Sequence, residues 1–249
     1  MLTERQIEQK ANEIRKSIIR MLEAAGSGHS AGPLGLADLL ATLYFGVLNV
    51  DPKQPEKSDR DVFFLSNGHC VPVQYAAMAE AGFFPKEELV TLRKWGSRLQ
   101  GHPERTKLPG LENTSGPLGC GIGQAAGYAY ALQYLDQQPH RWVYVVTGDG
   151  ELNEGNIWES IMFAGKYKLS QLIVFVDRNN IQIDGPTEQV MPLENLHAKW
   201  ESFGWHVQEI DGHNIESILD AVGMAKAIEN RPSVIITHTV PGKNVDFME

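Results

Sequence analysis

The spacing of apolar residues near the start of the chain predicts a long amphipathic helix. Apolar side chains recur every three or four residues from Ile7 onward, and the pattern ends at Gly26. Thr3 followed by Gln6 has the form of a capping box, in which each residue bonds the other's backbone N–H. The pattern therefore predicts a helix from about Glu4 to Ala25.

Short apolar runs rich in β-branched residues predict buried parallel strands. These runs are Val62–Leu65, Trp142–Val146, Leu172–Val176 and Val234–Thr237, with a weaker run at Trp205–Ile210. Helical patterns lie between or before them, at Leu36–Leu48, Gly121–Leu135, Asn156–Leu169, Leu193–Phe203 and Ile215–Glu229. This alternation predicts an α/β fold with a doubly wound, mostly parallel sheet flanked by helices. Because 249 residues with 42% hydrophobic content suffice for one core, we expect residues 1–249 to form a single domain.

Composition and charge argue against several classes of partner. The chain has 22 Lys and Arg against 31 Asp and Glu, a formal net charge of −9, so nucleic acid and anionic membranes are not expected partners. Its longest uncharged apolar stretch, Leu39–Leu48, is shorter than the roughly 20 residues of a membrane-spanning helix. The first ten residues lack a signal-peptide core, and two cysteines, Cys70 and Cys120, are too few for a disulfide framework. We therefore expect a cytoplasmic protein.

Polar and glycine residues directly follow two neighbouring predicted strands. Gly148, Asp149 and Gly150 follow one strand, and Asn179 follows the next. Ligands of such sheets bind beyond the carboxyl ends of the strands. A carboxylate and an amide oxygen suit a hard cation such as Mg²⁺, and glycines let the backbone approach a phosphate closely. The pattern predicts a diphosphate anchored through a metal, although Gly-Asp-Gly alone is also typical of a turn.

A second glycine motif indicates a different cofactor but lacks the right surroundings. The segment Gly121–Ala126 matches the dinucleotide-binding fingerprint with alanine in third place. That fingerprint requires a strand immediately before it, whereas Glu112–Leu118 is polar and interrupted by Pro117. The sequence does not support a nicotinamide-dependent dehydrogenase.

Three of the eight histidines follow a glycine in loop-like surroundings. They are His29 in Ser-Gly-His, His69 in Asn-Gly-His and His102 in Gly-His-Pro-Glu. Imidazole titrates near neutrality, so several histidines around one cleft suit proton transfer on a polyhydroxylated substrate. From the residues alone, each of them is more typical of a structural or solvated loop position. The other five histidines have no such context, and we expect them to be structural.

The segments Gly148–Gly155 and Asp177–Gly185 together resemble the thiamine diphosphate motif of transketolases. The three histidine contexts and the segment Thr114–Gly119 are similar to loops of the same family. The resemblance covers Ser17–Lys243 and implies an enzyme of carbohydrate metabolism, in the pentose phosphate pathway. The implied reaction transfers a two-carbon ketol group from a ketose phosphate to an aldose phosphate, with thiamine diphosphate and Mg²⁺, or Ca²⁺ or Mn²⁺, as cofactors.

The resemblance also implies roles for individual residues. The implied metal ligands are Asp149, Asn179 and the backbone oxygen of Ile181. The implied cofactor contacts are His69, Gly116, Pro117, Leu118, Gly148, Gly150, Glu154, Asn179 and Ile183. The implied catalytic or substrate contacts are His29, His69 and His102. Ser30 and Cys120 stand where many family members have proline and glutamine, which implies an altered choice of substrate.

Transketolases place the pyrimidine ring of the cofactor in a second domain, for which the sequence shows no counterpart. We therefore expect a pyrimidine-binding domain on a separate C-terminal subunit, within a heterotetramer in which Glu154 faces a subunit interface. Two alternatives stay open. One is a subunit of another thiamine diphosphate enzyme, of the deoxyxylulose-phosphate-synthase or 2-oxo-acid-dehydrogenase type, and the other is a non-catalytic cofactor-binding subunit. The histidine loops argue against the first, and intact Asp149 and Asn179 argue against the second.

Overall fold

The computed structural model describes residues 2–138 and 140–249. Its α-helices are α1 (Glu4–Ala25), α2 (Ala31–Gly35), α3 (Ala37–Thr42), α4 (Val71–Ala81), α5 (Cys120–Tyr130), α6 (Gly155–Lys166), α7 (Thr187–Val190), α8 (Leu196–Ser202) and α9 (Ile215–Lys226). Its strands are β1 (Val62–Leu65), β2 (Val143–Gly148), β3 (Leu172–Arg178), β4 (Ile181–Gln182), β5 (Gly185–Pro186), β6 (His206–Asp211) and β7 (Ser233–His238). Short 3₁₀ turns occur at Gly68–Cys70, Lys86–Thr91 and Gly150–Asn153.

Five strands form one parallel sheet in the order β1-β2-β3-β7-β6. Successive strand residues point to opposite faces, and each face packs on its own layer of helices. One core contains Tyr144 and Phe175 together with residues of α1, α3, α4 and α9. The other contains Val145 and Val174 with residues of α5, α6 and α8. The predicted doubly wound parallel sheet is confirmed.

Helix α1 has the bounds that its apolar periodicity predicts. Thr3 and Gln6 form the capping box, and Gly26 ends the helix with φ 63°. Its apolar face is fully buried at Ile7, Ile14 and Ile18, among others.

A buried ion-pair network joins the first helix to the last strand's exit. Arg15 donates to both carboxylate oxygens of Asp38, at 3.1 and 2.5 Å. Nδ1 of His213 lies 2.8 Å from the same carboxylate, and Nε2 of His213 accepts the backbone N–H of Val240 at 2.8 Å. His213 thus links Asp38 to the segment after β7, in line with the structural role expected for it.

Three helical segments differ from the sequence predictions. The predicted continuous helix Gly121–Leu135 is α5 followed by a π-helical turn, Ala131–Leu135. Helix α4 was not predicted. Nine of its 11 residues are buried, so its sequence lacks the alternation of apolar and polar faces that marks an amphipathic helix. The predicted continuous helix Leu36–Leu48 is instead α3 followed by a π-helical turn, Leu43–Val47. Within the described ranges, no helix has both the length and the apolar character needed to cross a membrane.

Candidate active site

The carboxyl ends of β2 and β3 bring the two predicted polar segments into direct contact. Asp149, directly after β2, is 1% exposed. Its Oδ2 accepts the backbone N–H of Asn180 at 2.7 Å, and its Oδ1 accepts that of Gly150 at 2.7 Å. Burial raises the pKa of the Asp149 carboxyl, and these hydrogen bonds partly offset that rise. Asp149 is thus a fixed carboxylate at the edge where a ligand is expected.

Asn179 and Ile181 lie beside this carboxylate. The side-chain Oδ1 of Asn179 accepts the Ile181 N–H at 2.9 Å, and its Nδ2 donates to Asp177 at 3.0 Å. A Cβ built on Gly150 would lie 3.9 Å from the Ile181 carbonyl oxygen, so the two loops lie side by side. One carboxylate, one amide oxygen and one carbonyl oxygen fit a hard divalent cation that also takes phosphate oxygens.

The short β4–β5 hairpin leaves apolar side chains uncovered at this edge. The side chain of Ile183, between its two strands, is 99% exposed, and that of Ile181 is 53% exposed. A cavity of about 370 Å³ lies behind the site, and Leu152, Trp158 and Phe203 line part of it. None of the candidate cofactor residues lines that cavity.

Arg178, to which the sequence analysis gave no role, forms a buried ion pair with Asp149. The Arg178 side chain is 3% exposed and donates to Asp149 at 3.1 Å. It also donates to Thr187, Glu188 and Glu194 at 2.8, 2.7 and 3.0 Å. The sequence does contain a signal for this role. Arg178 lies at the end of a buried strand, and a buried charge there requires oppositely charged or polar partners.

Glu151 is a second buried carboxylate that was missed. It is 2% exposed and lies in the 3₁₀ turn Gly150–Asn153, two residues after Asp149. Its Oε1 accepts the Ser66 hydroxyl and the Gly119 N–H, each at 2.6 Å. Its Oε2 accepts the Thr147 hydroxyl at 2.7 Å and the Gly148 N–H at 3.1 Å. The amide of Gly148 is therefore bonded within the chain, and α6 begins only at Gly155, so that helix does not follow Gly150 directly.

Asn67, at the exit of β1, carries a polar side chain without a partner. The residue is 1% exposed, and neither atom of its amide has a hydrogen-bond partner. A Cβ built on Gly148 would lie 3.8 Å from the Asn67 Cβ, an ordinary contact, so the structure alone does not require glycine there. A buried unpaired amide is costly and calls for an explanation such as a ligand.

The three predicted histidines gather at the neighbouring exit of β1. The ring centroids of His29 and His69 lie 5.1 Å apart. A Cβ on Gly68 would lie 3.2 Å from Cδ2 of His102, which places that ring against the same turn. Burial, with a smaller contribution from positive charge on His29 and His102, lowers the pKa of His69 to about 4. Burial also lowers the pKa of His29 and His102, with Arg93 contributing to both. All three rings are therefore neutral at pH 7.

The loop predicted to lie under the aminopyrimidine ring, Gly116–Leu118, leads directly into α5. The Leu118 carbonyl accepts a long hydrogen bond from Asn156 at 3.5 Å, and the next amide bonds Glu151. Residues 92–119, which lie between the 3₁₀ turn Lys86–Thr91 and α5, contain no strand, so the dinucleotide fingerprint lacks the strand that it requires immediately before it. Glu154 is exposed, and its side chain makes no capping hydrogen bond to α6.

Comparison with known proteins shows the same kind of domain. Residues 7–247 match the family described as transketolase, thiamine diphosphate binding domain. The 6-deoxy-6-sulfo-D-fructose transketolase subunit of Clostridium sp. is 44% identical, with 100% of this chain and 90% of that protein covered. One of the named subunits of the apulose-4-phosphate transketolase of Phocaeicola vulgatus is 37% identical over 98% of this chain and 85% of that protein.

The fold has a close counterpart among solved structures. The transketolase of Leishmania mexicana superposes with a TM-score of 0.92 at 37% identity, over 98% of this chain. The chain spans 37% of the length of that transketolase.

Proposed function

The chain belongs to the transketolase family, as its thiamine diphosphate binding domain, and from this premise we propose that it is one subunit of a split transketolase. The proposed activity is transfer of a two-carbon ketol group from a ketose phosphate to an aldose phosphate, in sugar metabolism of the pentose phosphate type. The observation that carries the proposal is the contact between the Asp149 carboxylate and the backbone N–H of Asn180, 2.7 Å long, at the carboxyl edge of the sheet.

The residues around Asp149 are suited to hold the diphosphate end of the cofactor. We propose that Asp149, Asn179 and the Ile181 carbonyl would hold Mg²⁺, or Ca²⁺ or Mn²⁺, whose positive charge would offset the negative charge of the diphosphate. Gly148 leaves room for a phosphate beside the unpaired Asn67 amide. Gly150 lies at the same turn, and Ile183 offers an apolar contact for the cofactor rings.

The histidine loops are suited to the sugar substrate. When bound, thiamine diphosphate supplies a nucleophilic carbon that takes up the two-carbon unit and releases it. Neutral rings at His29, His69 and His102 accept or donate hydrogen bonds to sugar hydroxyls and move protons during the transfer. Gly116, Pro117 and Leu118 form the floor beneath the aminopyrimidine.

A separate subunit completes the proposed active site. Two relatives are named as transketolase subunits, and this chain covers 90% and 85% of their length. The exposed Ile181 and Ile183 beside the cofactor site present apolar surface of the kind that a partner covers. We propose a C-terminal subunit with a pyrimidine-binding domain, paired two-fold as a heterotetramer with Glu154 near the interface. Because both cysteines are free thiols, the reducing cytoplasm is the proposed compartment.

An activity assay with and without the partner tests this proposal. The chain, a C-terminal subunit with a pyrimidine-binding domain, and both together are assayed with thiamine diphosphate, Mg²⁺ and ribose 5-phosphate as acceptor. Donors are xylulose 5-phosphate and 6-deoxy-6-sulfo-D-fructose. We expect turnover only with both chains. Robust turnover by this chain alone would contradict the split enzyme, and cofactor binding without turnover by the complex would support a non-catalytic subunit instead.

A further inference from the structure

Glu151 connects three segments that meet at the carboxyl edge of the sheet. Its carboxylate accepts hydrogen bonds from Ser66 after β1, from the backbone at the end of β2, and from Gly119 in the loop before α5. We propose that Glu151 is a positioning residue, which sets the aminopyrimidine loop (residues 116–119) against the metal loop (residues 148–150) before the cofactor arrives. This inference rests on the proposed function, because it assigns both loops to the same cofactor.

The contacts require a carboxylate rather than any polar side chain. All four groups that face Glu151 donate: two are hydroxyls, of Ser66 and Thr147, and two are backbone amides, of Gly119 and Gly148. An ionised carboxylate is an acceptor at both oxygens and satisfies all four groups. A glutamine has one acceptor oxygen and one NH₂ group. The hydroxyls can rotate and accept from that NH₂, whereas a backbone N–H cannot, so Glu151→Gln leaves one of the two amides unpaired.

The aminopyrimidine loop makes few other hydrogen bonds to side chains in the described part of the chain. Its described hydrogen bonds to side chains outside the loop are the Glu151 contact at 2.6 Å and the longer Asn156 contact at 3.5 Å. Gly119 has φ 82°, a backbone conformation that favours glycine, and a Cβ there would lie 2.0 Å from Oδ1 of Asn156. Glu151 is two residues beyond Asp149. The segment that carries the metal loop therefore also carries the carboxylate that holds the aminopyrimidine loop.

The test compares Glu151→Gln with Glu216→Gln, an exposed glutamate on α9. Calorimetry measures the dissociation constant of thiamine diphosphate with Mg²⁺, and hydrogen exchange measures protection of residues 114–121 without cofactor. Loss of one charge-assisted bond predicts about tenfold weaker binding for Glu151→Gln. It also predicts faster exchange in that peptide, and no change for Glu216→Gln. A lower melting temperature with parental affinity and exchange would show a merely structural role and overturn the proposal.

Exchange in the parent chain keeps the test decisive if Glu151→Gln does not fold. Residues 114–121 are expected to be protected before cofactor is added, and rapid exchange there, with protection only after cofactor binds, would overturn the proposal. Absence of cofactor binding by the parent would instead count against the proposed function, while the exchange result would still report whether Glu151 holds the loop.

Discussion

The edge around Asp149 and the neighbouring histidine loops belong to the same proposed site but are built differently. At the edge, the carboxylates of Asp149 and Glu151 are buried and every oxygen is hydrogen-bonded within the chain. In the histidine loops, His29, His69 and His102 make no side-chain hydrogen bond to any described residue. The first region is preorganised, whereas the second keeps its ring nitrogens free.

This difference separates two roles that substitutions can distinguish. A preorganised charge does not need to be reordered when an ion binds, so changes at the edge should reduce affinity for the cofactor. Free imidazoles gain their partners only when a sugar arrives, so changes in the histidine loops should reduce turnover instead.

Asp149→Ala should have the largest effect. It removes the only full charge that we assign to the metal, so Mg²⁺-dependent binding of thiamine diphosphate should weaken by more than about 100-fold. Calorimetry of the variant measures this, with Asp220→Ala on the exposed face of α9 as the matched control. Unchanged affinity in Asp149→Ala would remove Asp149 from the metal site.

His102→Ala should preserve cofactor affinity and lower kcat for a ketose donor by about 100-fold, in the complex with the partner subunit. The reason is that the free ring is assigned to sugar hydroxyls rather than to the diphosphate. Steady-state kinetics with saturating cofactor measures this, and His140→Ala, at an exposed position before the amino end of β2, should behave as the parent. Parental turnover in His102→Ala would place that ring outside the site.

Gly148→Ala tests whether the glycine serves the ligand rather than the fold. The nearest atom to the new methyl group would be 3.8 Å away, so the melting temperature should not change. Crowding of a phosphate should weaken cofactor binding by about tenfold. Gly223→Ala on α9, where nothing lies within 4 Å of the new methyl group, is the control. Equal affinity of both variants would mean that no phosphate approaches Gly148.

The smallest effect concerns the pH dependence of stability. His69 has a pKa of about 4 in the folded chain against 6.5 ordinarily, so the unfolded chain binds the extra proton between these values. Its contribution to stability is therefore present above pH 6.5 and lost as pH falls toward 4. His69→Gln should flatten the decline by about 1 kcal/mol at pH 5, because part of the ring is exposed. Urea unfolding at pH 5 and 7.5 measures this, and parallel declines in parent and variant would contradict it.

Sequence patterns predicted the sheet well because buried strands carry a local signal. The strand β1 was predicted at its observed bounds. The strands β2 and β3 each end two residues later than their apolar runs predicted. The extension of β3 into Asp177 and Arg178 was not predictable from hydrophobicity, because those polar residues are buried by partners distant in sequence.

The candidate site was predicted through its strand exits, and the supporting carboxylate was missed. Asp149 and Asn179 were found because each directly follows a strand. Glu151 gave no such signal, since an acidic residue after Gly-Asp-Gly reads as a solvated turn. Its role depends on Ser66 and Gly119, which are 85 and 32 residues away in sequence and which only the folded chain brings together.

The central claim is that this chain holds thiamine diphosphate by its diphosphate end, through a metal at Asp149. Calorimetric titration of the parent chain with thiamine diphosphate and with unphosphorylated thiamine, each with and without Mg²⁺, tests it most directly. We expect binding of thiamine diphosphate only when Mg²⁺ is present, competition by inorganic pyrophosphate, and no measurable binding of thiamine. Equal binding of both compounds, or binding of thiamine diphosphate that does not depend on Mg²⁺, would contradict the claim.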